Sequence, residues 1–227
     1  MATQRRGRLA KPGATGLKGT RAEPWGSTIL QFREVVGGRL KTIPYSSLRE
    51  LLEDRLLRDE DAETANLIAR LSHIREDGSV TRREFLEMCH WKSPRPLRHY
   101  ERNSEEEITK TFRAVLATRS ERRRLELLTE LRGVSVPTAS AILTLIDPQR
   151  YGVIDIRVWQ LLHALGSVRT RPSGQNFDFK NWFHYLSKRR YFASELRVSV
   201  RCVERTLFEY HRQVLTEPLY ARASAGR

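Results

Sequence analysis

Cysteine is scarce in this chain, and its scarcity excludes several classes of protein. The 227 residues include only Cys89 and Cys202, too few for a four-cysteine zinc or iron–sulfur site. Both lie among apolar residues with helical spacing, so we expect buried free thiols and a reducing compartment rather than a disulfide framework. The six histidines lack the paired spacing of zinc hydrolases, and we expect no metal centre.

Long hydrophobic runs and acidic residues are also in short supply. No segment approaches the roughly 18 consecutive apolar residues that cross a bilayer, and the N-terminus lacks the apolar stretch of a secretory signal. Asp and Glu total 27 against 41 Lys and Arg, which gives a net charge of +14 and a pI of about 10.4. This excess favours a polyanionic partner, nucleic acid first and an anionic membrane surface second.

Strand-type alternation is scarce as well, and the remaining pattern predicts an all-α protein. Only 28–32 and 151–154 resemble short strands, whereas helical periodicity continues from residue 46 onward. Two late helices are predicted at 179–190 and 194–215. Residues that favour helix N-termini precede the predicted helices: Ser46, Ser47, Asp61, Thr64, Thr81, Asn103, Ser104, Ser120 and Asp155.

Residues 1–28 carry basic side chains separated by Gly and Pro, with Glu23 as the only acid. This segment offers too little apolar surface to offset the entropy of ordering, so we expect a flexible basic arm. Contact with DNA phosphates and a solvated tail without a role are both open interpretations. The remaining residues, 29–227, are expected to form the helical domain.

The most informative segment begins with Gly133-Val134-Ser135, placed between two predicted helices. A turn this tight needs a residue without a Cβ atom, which Gly133 supplies. The first amides of the following helix have no helical partner, and with the helix dipole behind them they can hold a phosphate. Pro137 is tolerated because first-turn N–H groups are unpaired in any case. A plain helical hairpin is the alternative.

Asp155 follows the turn and precedes another predicted helix, which Gly166 ends. Asp is a favoured N-cap residue, and capping alone would account for it.

Together these segments resemble the helix-hairpin-helix DNA glycosylases, the superfamily of endonuclease III and of the adenine-mismatch, oxidised-guanine and alkyl-base glycosylases. The family hairpin reads close to L-P-G-V-G-x-x-T-A, and residues 131–139 here read LRGVSVPTA. The family catalytic loop reads close to V-D-x-H-V-x-R-x-x-x-R-L-G, and here VIDIRVW at 153–159 is followed by ALG at 164–166. The distance from hairpin to Asp matches, and the resemblance covers residues 131–165.

The resemblance implies a bundle of two helical lobes around one cleft and assigns catalysis to Asp155. Its carboxylate would stabilise positive charge at C1′ of a flipped nucleotide and orient the attacking water. The main-chain amides of the hairpin would hold the DNA backbone, with a bridging monovalent cation at the hairpin: Gly133, Val134, Ser135 and Val136.

Two departures from the family pattern bear on the chemistry. Ser135 replaces the second hairpin Gly, which is compatible if its φ stays negative. Pro137 occupies the position at which bifunctional members carry a nucleophilic Lys. A Schiff base needs an amine, and a mid-chain Pro has none. We therefore expect a monofunctional enzyme without lyase activity, with no iron–sulfur cluster and no organic cofactor.

The segment 91–96, WKSPRP, places an aromatic residue and two cations at a proline-rich break between helices. We expect Lys92 and Arg95 to clamp DNA phosphates and Trp91 to stack on a base in the pocket. Arg132 and Arg157 are further candidates for phosphate contacts. The alternative is an inter-helix connection with one buried Trp.

The sequence thus predicts a DNA glycosylase that flips a modified or mismatched base out of double-stranded DNA and hydrolyses its N-glycosidic bond. DNA repair and defence against phage with modified DNA are both open. We expect a monomer without a membrane partner, cytoplasmic and nucleoid-associated in a bacterium or nuclear in a eukaryote. A non-catalytic helix-hairpin-helix DNA-binding protein is the main alternative, and an RNA-associated basic protein is the third.

Overall fold

The computed structural model describes residues 43–214, and within them it contains eleven helices and no β-strand. The predicted all-α class is confirmed for this part of the chain. The basic arm 1–28 and the strand candidate 28–32 lie outside the described residues. In chain order the helices are α1 Leu48–Arg55, α2 Ala62–Leu71, α3 His73–Asp77, α4 Arg82–Lys92, α5 Leu97–Tyr100, α6 Glu105–Ala117, α7 Glu121–Glu130, α8 Val136–Ile146, α9 Ile156–Ala164, α10 Phe179–Leu196 and α11 Val200–Val214.

Side-chain caps start most of the longer helices where the sequence predicts them. Each cap oxygen accepts from an amide in the first turn, which otherwise has no partner. Thr81 and Ser104 do so within full capping boxes completed by Glu84 and Glu107. The other predicted caps that are confirmed are Ser47, Asp61, Ser120 and Asp155.

The predicted helix bounds need three corrections. The sequence pattern continues the helix after Asp61 to Ile74, whereas α2 stops at Leu71 and a separate short helix, α3, follows Ser72. Helix α10 extends to Leu196 rather than ending near residue 190. The last helix therefore begins at Val200 rather than at residue 194.

The strand prediction for residues 151–154 is wrong. This segment is extended, but side chains rather than a neighbouring strand satisfy its backbone. Tyr185 Oη donates to the carbonyl of Val153 at 2.8 Å, and the amide of Ile154 donates to Ser140 Oγ at 3.1 Å. An extended segment buried between helices has the apolar composition of a strand without the ladder.

The helices pack as two sets. Helix α8 contacts α2, α4 and α7, and α3, α5 and α6 attach to α2, α4 and α7. The second set comprises α1, α9 and α10, all packed on α11. Helix α10 also touches α7 and α8, and one apolar core extends through both sets. The turn 131–135 belongs to the first set, whereas Asp155 begins a helix of the second.

Among the described helices none combines the length and apolarity that a membrane span requires.

Candidate functional site

The turn between α7 and α8 depends on Gly133. Its φ is +84°, a region that side chains with a Cβ disfavour. A Cβ at this position would lie 2.8 Å from His99 Cβ and 2.9 Å from Tyr100 Cδ1. Both the backbone conformation and the space therefore require glycine, as the sequence predicts.

Ser135 does not need to be glycine, because its φ is −87° in the extended region. It precedes α8, where Pro137 occupies the first turn. The amides of Ser135, Val136 and Thr138 donate to no other group within residues 43–214. They therefore provide unpaired N–H groups at the positive end of the helix dipole, the arrangement that binds phosphate.

Asn103 fixes the turn from the side, a role that the sequence did not reveal. The side chain is 2% exposed, so its hydrogen bonds are shielded from water. Its Oδ1 accepts from the amide of Arg132 at 2.8 Å, and its Nδ2 donates to the carbonyl of Arg132 at 3.0 Å and to that of Tyr100 at 2.8 Å. The sequence pattern placed Asn103 at a helix start, but Ser104 is the cap.

Asp155 caps α9, and both of its carboxylate oxygens are engaged. Oδ1 accepts from the amide of Arg157 at 2.8 Å, and Oδ2 forms an ion pair with Lys92 Nζ. Burial works to raise the pKa of Asp155, but Lys92 and the Arg157 amide outweigh it and hold that pKa below the ordinary value of 3.8. The carboxylate is therefore ionised at neutral pH.

One hydroxyl joins the start of α8 to the segment that carries Asp155. Ser140 Oγ donates to the carbonyl of Pro137 at 2.8 Å and accepts from the amide of Ile154 at 3.1 Å. Ser140 is 1% exposed, so this bridge is shielded from water. Ser140 thereby fixes the position of Asp155 relative to the unpaired amides at the start of α8. The sequence pattern did not indicate this role.

The two features open into the same cavity, which has a volume of about 590 Å³. This is within the usual range for small-molecule sites. Phe177 contributes aromatic surface, whereas Tyr100 borders the cavity but is fully buried. The other lining residues come from the end of α4 and the turn after it, from α8, from Asp155 and from the loop after α9: Lys92, Ser93, Pro94, Arg95, Pro96, Ser135, Val136, Pro137, Thr138, Ile156, Gly174, Gln175 and Asn176.

Trp91, the predicted base-stacking residue, is not among the residues that line this cavity. It lies in the last turn of α4, not in the following turn as the sequence suggested. Its Nε1 donates to Thr64 Oγ1 at 3.1 Å, and the Arg201 guanidinium lies 5.2 Å from its ring centroid. Arg201 is in turn paired with Glu60 and Glu204, so a buried ionic cluster fixes the ring away from the cavity.

Of the four basic residues predicted to contact DNA phosphates, two line the cavity and two do not. Lys92 and Arg95 line the cavity, although the Lys92 ammonium is directed at Asp155. Arg157 lies over the Phe208 ring at 5.8 Å, and Arg132 Nη1 donates to the carbonyl of Arg102 at 2.8 Å. Neither of these two arginines lines the cavity.

The loop between α9 and α10, residues 165–178, forms one wall of the cavity. Gly174 has φ +66°, and a Cβ there would lie 3.0 Å from the carbonyl oxygen of Ile156. Gln160 Nε2 donates to the carbonyl of Ser173 at 3.3 Å, and Trp159 Nε1 donates to that of Thr170 at 3.1 Å. The loop therefore presents Gln175, Asn176 and Phe177 beside Asp155.

Comparison of the chain with protein-family models, with curated proteins and with solved structures finds no match. Within the described residues, no group of three or more His, Cys, Asp and Glu side chains is arranged to hold a metal ion.

Proposed function

We propose that this protein is a monofunctional DNA glycosylase, which flips a modified or mismatched base out of duplex DNA and hydrolyses its N-glycosidic bond. One observation carries the proposal: the Asp155 carboxylate and the unpaired amides at the start of α8 open into one cavity. A nucleoside fits in about 590 Å³. The site thus combines room for a flipped base, a fixed negative charge and a phosphate anchor.

The reaction needs little more than these groups. As the C1′–N bond breaks, its electron pair leaves with the base and positive charge develops on the sugar. The ionised carboxylate of Asp155 stabilises that charge. A water molecule then forms the new bond to C1′, one of its protons passes to the carboxylate or to solvent, and the departing base takes up a proton.

DNA binding would use both helix sets as lobes on either side of the cavity. Helices α7 and α8 act as a helix-hairpin-helix, in which the amides of Gly133, Ser135 and Val136 hold the phosphodiester backbone. The Val134 amide, predicted for the same role, donates instead to the carbonyl of Leu131 at 3.1 Å. Arg132 and Arg157, together with Arg95 at the cavity mouth, contribute further phosphate contacts.

The flipped base would meet residues other than Trp91. Phe177 supplies an aromatic wall, and the side-chain amides of Gln175 and Asn176 supply donors and acceptors for the edge of a base. The substrate class is therefore a flat, neutral, hydrogen-bonding base, either a repair lesion or a modified base of phage DNA.

Lys92 holds Asp155 ionised, and its ammonium has no lone pair with which to attack C1′ while that ion pair persists. Pro137 offers no amine either. We therefore propose hydrolysis without strand cleavage. Trapping with borohydride should give no covalent DNA adduct, and an adduct lost in Lys92→Met would overturn this part of the proposal.

A monovalent cation at the hairpin would have to be held by carbonyls of the turn. The carbonyls of Leu131 and Arg132 already accept hydrogen bonds, from the Val134 amide at 3.1 Å and from Asn103 Nδ2 at 3.0 Å. The turn is thus closed by its own hydrogen bonds, and no step here depends on an ion.

We propose a monomer that acts on double-stranded DNA, in the nucleoid of a bacterium or the nucleus of a eukaryote.

The test uses duplexes that carry a panel of altered and mismatched bases, followed by alkaline cleavage at abasic sites. We expect the wild type to release one class of base, and Asp155→Asn to lose at least about 100-fold in rate while it still binds the duplex. Asp178→Asn is the matched control, because Asp178 is also an N-cap, of α10, and lies outside the cavity. Asn caps a helix as well as Asp does, so both variants should fold.

A non-catalytic DNA-binding protein is the second candidate. It is favoured by the double engagement of Asp155, as N-cap and as ion-pair partner of Lys92. Tight duplex binding without base release from a broad panel would support it and would contradict the enzyme proposal.

A further inference from the structure

A second cavity, of about 380 Å³, lies on the other side of the α9–α10 loop. The residues that follow α9 and one face of α10 form its walls. Four of its lining residues are basic: Arg169, Lys180, His184 and Lys188. The Trp159 ring lies 5.1 Å from that of Phe177, which lines the Asp155 cavity, so the two cavities share this aromatic pair as a partition.

Among residues 43–214, no acidic residue lines this second cavity. Arg169 and Lys180 are exposed, and neither forms an ion pair within residues 43–214. The groove beside Arg150 and Arg190 is different, because Glu121 pairs with both of those arginines. Two exposed cations that have no acidic partner within residues 43–214, Arg169 and Lys180, concentrate positive potential and favour an anion.

The floor of the cavity carries a buried cation. Lys188 is 1% exposed, and its ammonium donates to the carbonyl and to the Oγ of Ser167, the latter at 3.0 Å. Burial, with the charges of Lys188 and Arg189, lowers the pKa of His184. The neighbouring imidazole thus experiences a positive environment, and a bound anion would relieve it.

We propose that this cavity binds a phosphate group, held directly by Arg169 and Lys180 over the buried charge of Lys188. Two sources share this chemistry: a backbone phosphate of a nucleic acid strand, or free phosphate and its small esters. The first rests on the proposed function, because the two cavities adjoin at the Trp159–Phe177 pair and a strand bound at the Asp155 cavity would have a neighbouring phosphate within reach of the second. A phosphate on the far side of the partition would then fix the strand at a second point.

The first arm of the test titrates the full chain with inorganic phosphate at constant ionic strength, with chloride as the reference anion. The ring resonances of His184 report binding. We expect a saturable shift in the wild type that is lost in Arg169→Gln/Lys180→Gln. The matched control is Lys110→Gln/Arg113→Gln, which removes the same charge from exposed positions of α6 and should keep the shift.

The second arm measures the affinity for an undamaged duplex as a function of salt. If a backbone phosphate occupies the cavity, the double variant should lower the slope of log K against log salt by about one unit, and the α6 control should not. A saturable phosphate shift without this change identifies free phosphate or a small ester as the ligand.

The proposal is overturned if phosphate gives no saturable shift and the salt slope of the cavity variant equals that of the control. The outcome is independent of base release. If the wild type binds phosphate but releases no base, only the proposed glycosylase activity is refuted. If it releases a base but binds no phosphate, only this phosphate site is refuted.

Discussion

The cavity beside Asp155 and the cavity beside Lys188 share a wall, the α9–α10 loop, but their charges are balanced differently. In the first, the carboxylate at the start of α9 pairs with the ammonium at the end of α4, beside the free amides of α8. In the second, no acidic residue of 43–214 lies among the lining cations. This difference is consistent with the two proposed roles: a site that breaks a bond to a sugar needs a negative group, whereas a site that only binds a phosphate is better without one.

We expect the largest effect on stability from His211, a buried neutral histidine that supports the wall between the cavities. His211 Nε2 donates to Gln160 Oε1 at 3.2 Å, and Gln160 holds the loop at Ser173. Burial, followed by the charge of Arg157, lowers the pKa of His211 from 6.5 to about 4. As the pH falls, His211 is therefore protonated at a higher pH in the unfolded chain than in the folded protein.

We expect the free energy of unfolding to be highest above pH 6.5 and to fall by about 3 kcal/mol towards pH 4 on account of this group, because one unit of pKa corresponds to about 1.4 kcal/mol. Urea denaturation across this pH range measures the slope. His211→Gln should flatten it, and exposed His90→Gln should not. Equal slopes in both variants would remove His211 as the cause.

The charge balance of the first cavity can be broken at Lys92. Lys92→Met leaves a mostly buried carboxylate without its counter-ion, and we expect a loss of about 2 kcal/mol in stability at neutral pH. The pKa of Asp155 should rise, because burial would no longer be opposed by the ammonium. The stability deficit should then shrink as the pH falls through the raised pKa, since a protonated carboxyl needs no cation.

NMR titration of the Asp155 carboxyl, together with denaturation at several pH values, checks both statements. Lys110→Met, at an exposed position of α6, is the control and should change neither quantity. An Asp155 that titrates as in the wild type after Lys92 is removed would show that the ion pair does not set its ionisation.

The bridge that Ser140 forms between α8 and the segment before Asp155 can also be tested. Ser140→Ala leaves the buried amide of Ile154 without an acceptor, and we expect a cost of about 1–2 kcal/mol and slower base release. Ser187→Ala is the matched control, because Ser187 Oγ donates only to the carbonyl of Phe183 one turn earlier in α10. The control should stay within about 0.5 kcal/mol of the wild type, and an equal loss in both variants would argue against a bridging role.

The smallest effect on stability comes from making the second cavity resemble the first. Thr170→Glu places an acid among its cations at an exposed position, so stability should change by less than about 0.5 kcal/mol. Phosphate should bind about 10-fold more weakly, a difference of about 1.4 kcal/mol. Thr170→Gln controls for size, and an unchanged affinity in Thr170→Glu would show that charge does not govern this cavity.

Local features of the chain could be predicted from the sequence. Ser47, Asp61, Thr81 and Ser120 form the predicted caps, because a cap is set by neighbours within one turn. Gly133 likewise has the positive φ that its position between two helices implied. The all-α class followed from the same periodicity.

Contacts between distant segments could not be predicted. Lys92 and Asp155 are 63 residues apart, and no local pattern indicates that they pair rather than that the lysine contacts DNA. Asn103 looked like a helix cap but fixes the hairpin turn 29 residues away. The extended segment before Asp155 resembled a strand because its burial is that of a strand, although its hydrogen-bond partners are side chains of α8 and α10.

The seating of Gly174 on the backbone of Ile156 divides the loop into a fixed part and a variable part. An insertion or a larger residue at Gly174 would displace the peptide next to Asp155, so we expect Gly174 to tolerate no substitution. Of the next three residues, Gln175 faces the cavity at an exposed position, whereas Asn176 has φ +54° and Phe177 packs on Trp159. Under the proposed function, a library randomised at 175 alone would therefore change which base is accepted while the Asp155 carboxylate keeps its position.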